Sequence, residues 1–143
     1  MTRLDGKVAL VTGASRGIGR GIGLALAQAG ATVVGTATSA PGADSFRQAL
    51  EAEGLKGAGI VMNVTDPAQI DAALDSIQKD YGAIVILVNN AGITRDNLLM
   101  RMKDEEWDDI VATNLTSVYR LGKAVIRGMM KAREGRIINI TSV

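Results

Sequence analysis

Between residues 12 and 19 the chain reads Thr12-Gly13-Ala14-Ser15-Arg16-Gly17-Ile18-Gly19, a Gly-x-x-x-Gly-x-Gly spacing. Without Cβ atoms the backbone can turn tightly and approach a bulky anion closely. Where a strand runs through such a turn into a helix, the helix N-terminus presents unpaired N–H groups to the ligand. A pyrophosphate suits that arrangement. The spacing departs from the Gly-x-Gly-x-x-Gly fingerprint, and a tight strand-to-helix turn with no ligand is the competing explanation. Gly21 and Gly23 prolong the run into the helix. Each costs ~1 kcal/mol relative to alanine there, and close helix–sheet packing is the simplest reason for them.

Composition narrows the remaining chemistry. The 143 residues contain no histidine and no cysteine, so Ser/His and Cys/His catalysis, histidine metal sites and disulfides are excluded within this stretch. No metal site is expected. Sixteen basic against fifteen acidic residues give a net charge of +1, which removes the electrostatic case for a dedicated nucleic-acid binder. No apolar run approaches the ~20 residues of a membrane span, and the amino terminus carries no signal-peptide pattern. A cysteine-free chain fits a cytoplasmic setting. Only four aromatic residues are present, Phe46, Tyr81, Trp107 and Tyr119, so an aliphatic core is expected.

The elements that must hold the glycine turn alternate in type. Apolar runs at Lys7–Thr12, Ala31–Gly35, Gly57–Met62, Ile84–Val88 and Arg136–Ile140 predict five strands. Helices are predicted over Ile18–Gln28, with Ile22, Ala25, Leu26 and Ala29 on one face, and over Ala43–Glu53. A third helix starts at Asp66-Pro67, with aspartate as N-cap and proline in the first turn, and runs to Tyr81. A long helix from about Asp104 carries Trp107, Ile110, Val111, Leu115, Val118, Leu121, Val125 and Met129 at helical spacing. Such alternation gives an α/β fold with a parallel sheet, and right-handed crossovers put helices on both of its faces. No helix follows the fifth strand, an odd exposure for a terminal strand.

Five segments then occur in a recognisable order: the glycine turn, Asn63-Val64-Thr65-Asp66, Asn89-Asn90-Ala91-Gly92, Asn114, and Ile140-Thr141-Ser142. Together they resemble the short-chain dehydrogenase/reductase family over all 143 residues. Within that family the stretch Ala91 to Lys103 (Ala-Gly-Ile-Thr-Arg-Asp-Asn-Leu-Leu-Met-Arg-Met-Lys) resembles the 3-oxoacyl-acyl-carrier-protein reductases of fatty acid synthesis. The resemblance implies a Rossmann-type doubly wound parallel sheet, of which these are strands one to five of a longer sheet. Residues 1–143 would then be the dinucleotide-binding part of a single domain, truncated after strand five. One departure is Val85, where the family commonly has an aspartate.

The family binds a nicotinamide dinucleotide across the carboxyl edge of the sheet, which brings Gly13, Ala14, Ser15, Arg16, Gly17, Ile18 and Gly19 to the pyrophosphate side. By the same resemblance Asn63 and Val64 flank the adenine, and Asn90, Ala91 and Gly92 lie near the nicotinamide-side ribose. Turn chemistry alone also explains Asn89 and Asn90. The residues themselves argue for the phosphorylated cofactor. NAD binders usually place an acid about twenty residues past the glycine turn, whereas here Gly35-Thr36-Ala37-Thr38-Ser39 holds none. Arg16 can pair with a 2′-phosphate and Thr38 can add a hydroxyl donor, which favours NADPH.

For ketone reduction the family uses a serine on the substrate oxygen, a tyrosine as proton donor, a lysine that lowers the tyrosine pKa and an asparagine on the relay water. Ser142 matches the serine and Asn114 the asparagine. A buried amide tying down backbone is the alternative for Asn114, and an ordinary strand-end hydroxyl for Ser142. The Tyr-x-x-x-Lys pair is absent from its family position after the serine. Tyr119 and Lys123 have the spacing but precede it, and read as helix-surface or interface residues. The competing functions are a non-catalytic NADP-binding module, an interaction fragment, or a reductase of another ketone. Resemblance further implies an acyl carrier protein as partner, Arg133 as a contact to it in a basic patch with Lys131 and Arg136 near the active edge, and a homo-tetramer.

Overall fold

The computed structural model describes residues 4–92 and 101–140. Five strands, β1 (Val8–Val11), β2 (Thr32–Ala37), β3 (Gly57–Val61), β4 (Ile84–Asn89) and β5 (Arg136–Asn139), form one sheet in the order β3-β2-β1-β4-β5. Every pairing is parallel. The helices are α1 (Gly17–Gln28), α2 (Ala40–Ala52), α3 (Pro67–Tyr81), α4 (Asp104–Val111) and α5 (Ser117–Ala132). A π-helical segment, Ala112–Thr116, joins the last two.

Alternation along each strand divides the core. Val8, Leu10, Val34 and Leu87 pack with Ile70, Leu74 and Ile77 of α3 and Leu121, Val125 and Met129 of α5. Ala9, Val11, Val33 and Val88 face the opposite way, against Ala27 of α1 and Phe46 and Leu50 of α2. The doubly wound parallel sheet is therefore as expected. Between Val8 and Ala9 the register against β4 shifts, from Ile84 to Ile86. That leaves Val85 as the extra residue, and both it and Ile86 join the α1–α2 side of the core.

Several boundaries differ from the sequence expectation. β2 continues to Ala37 because Thr36 and Ala37 pair with Ile60 and Val61 of β3. α2 starts three residues early: Ser39 is its N-cap, its hydroxyl accepting from Gly42 N–H, and Pro41 occupies the first turn. Asp66 caps α3 as read, accepting from the N–H groups of Ala68 and Gln69. The inward face of α1 is Gly19, Gly23 and Ala27, while Ala25 is exposed. Small residues one turn apart bring this helix close to the sheet. A Cβ on Gly23 would lie 2.8 Å from the Phe46 ring, whereas Gly21 meets open space and nothing in the structure explains it.

The long helix is also not one straight amphipathic rod. Trp107 and Leu115 are 56% and 65% exposed, while Leu121, Val125 and Met129 are buried. The π segment, which holds Leu115, precedes the buried half of that pattern and shifts its register. No helix among the described residues is long and apolar enough to cross a membrane.

Candidate cofactor site

β1 connects outward to β2, while β4 lies on β1's other side. The loops after β1 and β4 therefore part at the carboxyl edge and leave a crevice there, the usual ligand position in an open α/β sheet. Thr12, buried just beyond β1, is its floor. Its Oγ1 accepts from the N–H groups of Asn90 (3.0 Å) and Ala91 (2.9 Å) and donates to the Val88 carbonyl (3.4 Å). Asn90 returns the link by donating from Nδ2 to the Gly13 carbonyl at 3.0 Å.

β2 holds the glycine turn from its other flank. Ala14 N–H donates to the Thr36 carbonyl (2.8 Å) and Gly13 N–H to Thr36 Oγ1 (3.4 Å). Gly13 takes φ 64 and Gly17 φ 61, a left-handed backbone that glycine adopts without a Cβ penalty. A Cβ on Gly19 would overlap the Gly13 carbonyl and Asn90 Nδ2; one on Gly17 would meet nothing. The open side of the turn is thus at Gly17. Arg16 is the N-cap of α1 yet makes no side-chain capping bond, and no acidic residue occupies the first turn. The first N–H groups of a 12-residue helix therefore face the crevice mouth without a side-chain acceptor. This cradle has the shape and polarity a pyrophosphate requires.

The other candidates divide. Arg16, Gly17 and Ile18 are exposed at the mouth, Ser15 is half-buried and Thr38 is exposed beyond β2. Ala14 is wholly buried in the α1–α2 core, so it can serve a ligand only through its backbone. Val64 likewise packs its side chain into the α3–α5 core. Asn63 is exposed, but its Oδ1 accepts from the N–H (2.9 Å) and hydroxyl (2.7 Å) of Thr65 in a local turn. Asn89 is a sheet residue, its Nδ2 donating to Asn139 Oδ1 across the β4–β5 pair at 2.9 Å.

Asn114 lies within the π segment, and a Cβ placed on Gly92 would be 3.0 Å from its Oδ1. The structure thus brings Asn114 to the loop after β4, on the crevice side. Such segments recur at functional sites because they redirect one side chain without ending the helix. Ser142 lies outside the described residues, as does most of the stretch from Ala91 to Lys103 that carries the reductase resemblance. Tyr119 and Lys123 are exposed on α5, with Lys123 Nζ 5.8 Å from the Tyr119 ring centre, as expected of surface residues.

Arg133 requires a correction. It is exposed with φ 57 just past α5, with Glu134 and Gly135 between it and β5. A strand begins at the amino edge of a parallel sheet, so the four residues of β5, about 13 Å at ~3.3 Å each, separate Arg133 from the crevice edge. The helix must end where its strand begins, and the basic patch accordingly forms at the opposite edge. Glu134, its one acid, bonds instead to Lys7 at 2.5 Å.

Sequence reasoning missed Thr12 and Thr36. The threonines carried a signal: polar residues closing otherwise apolar strands. Among the described residues no group of His, Cys, Asp or Glu is arranged to hold a metal. A groove of about 530 Å³ between β3 and α3, lined by Ile60, Ala73, Ser76 and Tyr81 among others, is separate from this crevice.

Comparison with known proteins agrees with the geometry. A family model described as short chain dehydrogenase matches residues 7–143. The chain is 62% identical over 140 residues to the 3-oxoacyl-[acyl-carrier-protein] reductase FabG of Pseudomonas aeruginosa, covering 98% of this chain and 57% of that protein. For the proteins of the same name from Escherichia coli and Vibrio harveyi the identity is 63%, over 139 and 140 residues. Those matches cover 97% and 98% of this chain and 56% of each relative. The chain therefore spans a little over half the length of the curated relatives it matches.

Proposed function

Because the chain belongs to the short-chain dehydrogenase family, we propose that it forms the cofactor-binding part of an NADPH-dependent reductase acting on 3-oxoacyl groups carried by acyl carrier protein. The observation that carries this reading is the crevice itself. Its glycine turn is held open at Gly17, the α1 N-terminus is uncapped, and Arg16 is exposed beside it. The identity to the three named reductases supplies the substrate class.

When bound, the cofactor supplies the hydride. The α1 N–H groups would hold its pyrophosphate, and Arg16 with Thr38 its 2′-phosphate. The Asn90–Gly92 loop would line its nicotinamide half, and Asn63 with the Val64 backbone would border the adenine. Ser142 binds the substrate oxygen in this reading and Asn114 holds the relay water. An acidic carrier would meet the exposed cations Lys131, Arg133 and Arg136. Its body would then dock at the amino edge, with the tethered acyl group reaching the other. The setting is cytoplasmic. The assembly is a homo-tetramer using the exposed apolar side chains of α4, the π segment and α5, among them Trp107, Leu115, Tyr119, Ile126 and Met130.

NADPH binding followed by fluorescence, and NADPH oxidation with an acetoacetyl thioester, test the reading in sequence. Tight NADPH binding is expected. Absence of binding would remove the whole proposal, whereas binding without turnover would leave a non-catalytic cofactor module.

A further inference from the structure

Arg20, on the second turn of α1, is half-buried and makes no ion pair among the described residues. Its Nη1 donates to two acceptors, the Ser15 carbonyl at 3.4 Å and Ser45 Oγ at 3.1 Å. Ser15 directly precedes Arg16. Ser45 lies in α2, the helix that follows Thr38 and is capped by Ser39. One guanidinium thus ties the peptide bearing Arg16 to the helix next to Thr38.

A second, independent contact points the same way. A Cβ on Gly42, in the first turn of α2, would lie 3.2 Å from Ser15 Cβ and 3.0 Å from Ala37 Cβ. The start of α2 is therefore packed against the residue whose carbonyl Arg20 holds. Arg16 and Thr38 stand on different loops, and a 2′-phosphate gripped by both requires their separation to be fixed beforehand. Ordering two loose loops at the moment of binding would weaken the grip.

We propose that Arg20 is a positioning residue for cofactor selectivity: through Ser15 and Ser45 it braces the two loops that together recognise the 2′-phosphate. This rests on the NADPH reading above. A brace on one subsite makes a distinctive demand. Its loss weakens the cofactor carrying the 2′-phosphate and spares the one without it, whereas general damage to the fold weakens both.

The test measures dissociation constants for NADPH and NADH with the unaltered protein and with the Arg20→Met and Ser45→Ala variants, alongside their thermal unfolding. Both variants are expected to weaken NADPH by about three- to tenfold, the value of one or two hydrogen bonds, and to leave NADH within about twofold. Arg20→Lys keeps the charge and three donors on one nitrogen but reaches one bond less far, and should give an intermediate loss. If Arg20→Met does not fold, Ser45→Ala decides alone, since it removes only the α2 end of the brace. Equal weakening of both cofactors, or no change in either, overturns the proposal while leaving the cofactor reading intact. An unaltered protein with no preference for NADPH overturns both.

Discussion

The Gly13 carbonyl lies so close over Gly19 that residue 19 has no room for a Cβ. The two ends of the glycine turn are thereby folded onto each other, and Asn90 seals the contact by donating to the same carbonyl. Gly19→Ala must push that carbonyl away. Overpacking of this kind costs about 1–3 kcal/mol, and a lowered unfolding midpoint together with lost cofactor binding is expected. Gly17→Ala should behave differently. Its Cβ meets no protein atom, so the fold loses only about 1–2 kcal/mol for the left-handed backbone, while affinity falls because the methyl group enters the ligand's space. Calorimetry and cofactor titration on both variants separate the two effects.

Thr12→Val keeps the shape of the crevice floor and removes its acceptor. The N–H groups of Asn90 and Ala91 then lose their shared partner. An unsatisfied donor costs about 1–3 kcal/mol when buried, and these two are half-buried, so a loss towards the lower end for each is expected in urea denaturation. Thr12→Ser, which retains the hydroxyl, should recover most of it. A valine variant as stable as the parent would show that water replaces the hydroxyl.

Arg16→Ala tests the choice of cofactor. The lost charge-assisted pair should weaken NADPH by about 1–3 kcal/mol and leave NADH nearly unchanged. Similar losses for both would place Arg16 on the pyrophosphate or in the turn itself, rather than on the 2′-phosphate.

Arg133→Glu addresses the carrier. Reversing an exposed charge in the basic patch should raise KM for the carrier-borne substrate by about tenfold and spare a small acetoacetyl thioester. Because Arg133 lies at the edge opposite the crevice, cofactor affinity should not move. A change in KM for both substrates would make its role structural.

Much of the fold is legible in the amino-acid sequence. Five apolar runs gave the five strands, and Asp66-Pro67 located the start of α3 to the residue. The glycine turn was legible because missing side chains leave a mark that no other requirement produces at that density. The face of the long helix was not. The π segment at Ala112–Thr116 shifts the register between Trp107 and Leu121, and a single 3.6-residue period fitted through it buries residues that are in fact exposed. Arg20 was invisible for a different reason. An arginine on a helix reads as a solvated charge, and only the arrival of Ser45 from a separate element gives it a task. The place of Arg133 is not legible, because proximity in sequence to strand five does not say which edge of the sheet it adjoins.

The Thr12 hydroxyl also sets how the crevice responds to time and temperature. It attaches Asn90 and Ala91, just after β4, to the end of β1, so these two residues stay in place while the central β1–β4 ladder is intact. The binding floor therefore unfolds with the middle of the sheet as one cooperative unit, rather than fraying as a surface turn does. In native-state hydrogen exchange the amides of Asn90 and Ala91 should keep pace with the slowest strand amides of β1, although neither belongs to a strand. A floor of this kind stands assembled before any ligand arrives, and association there needs no slow conformational step at that wall of the crevice.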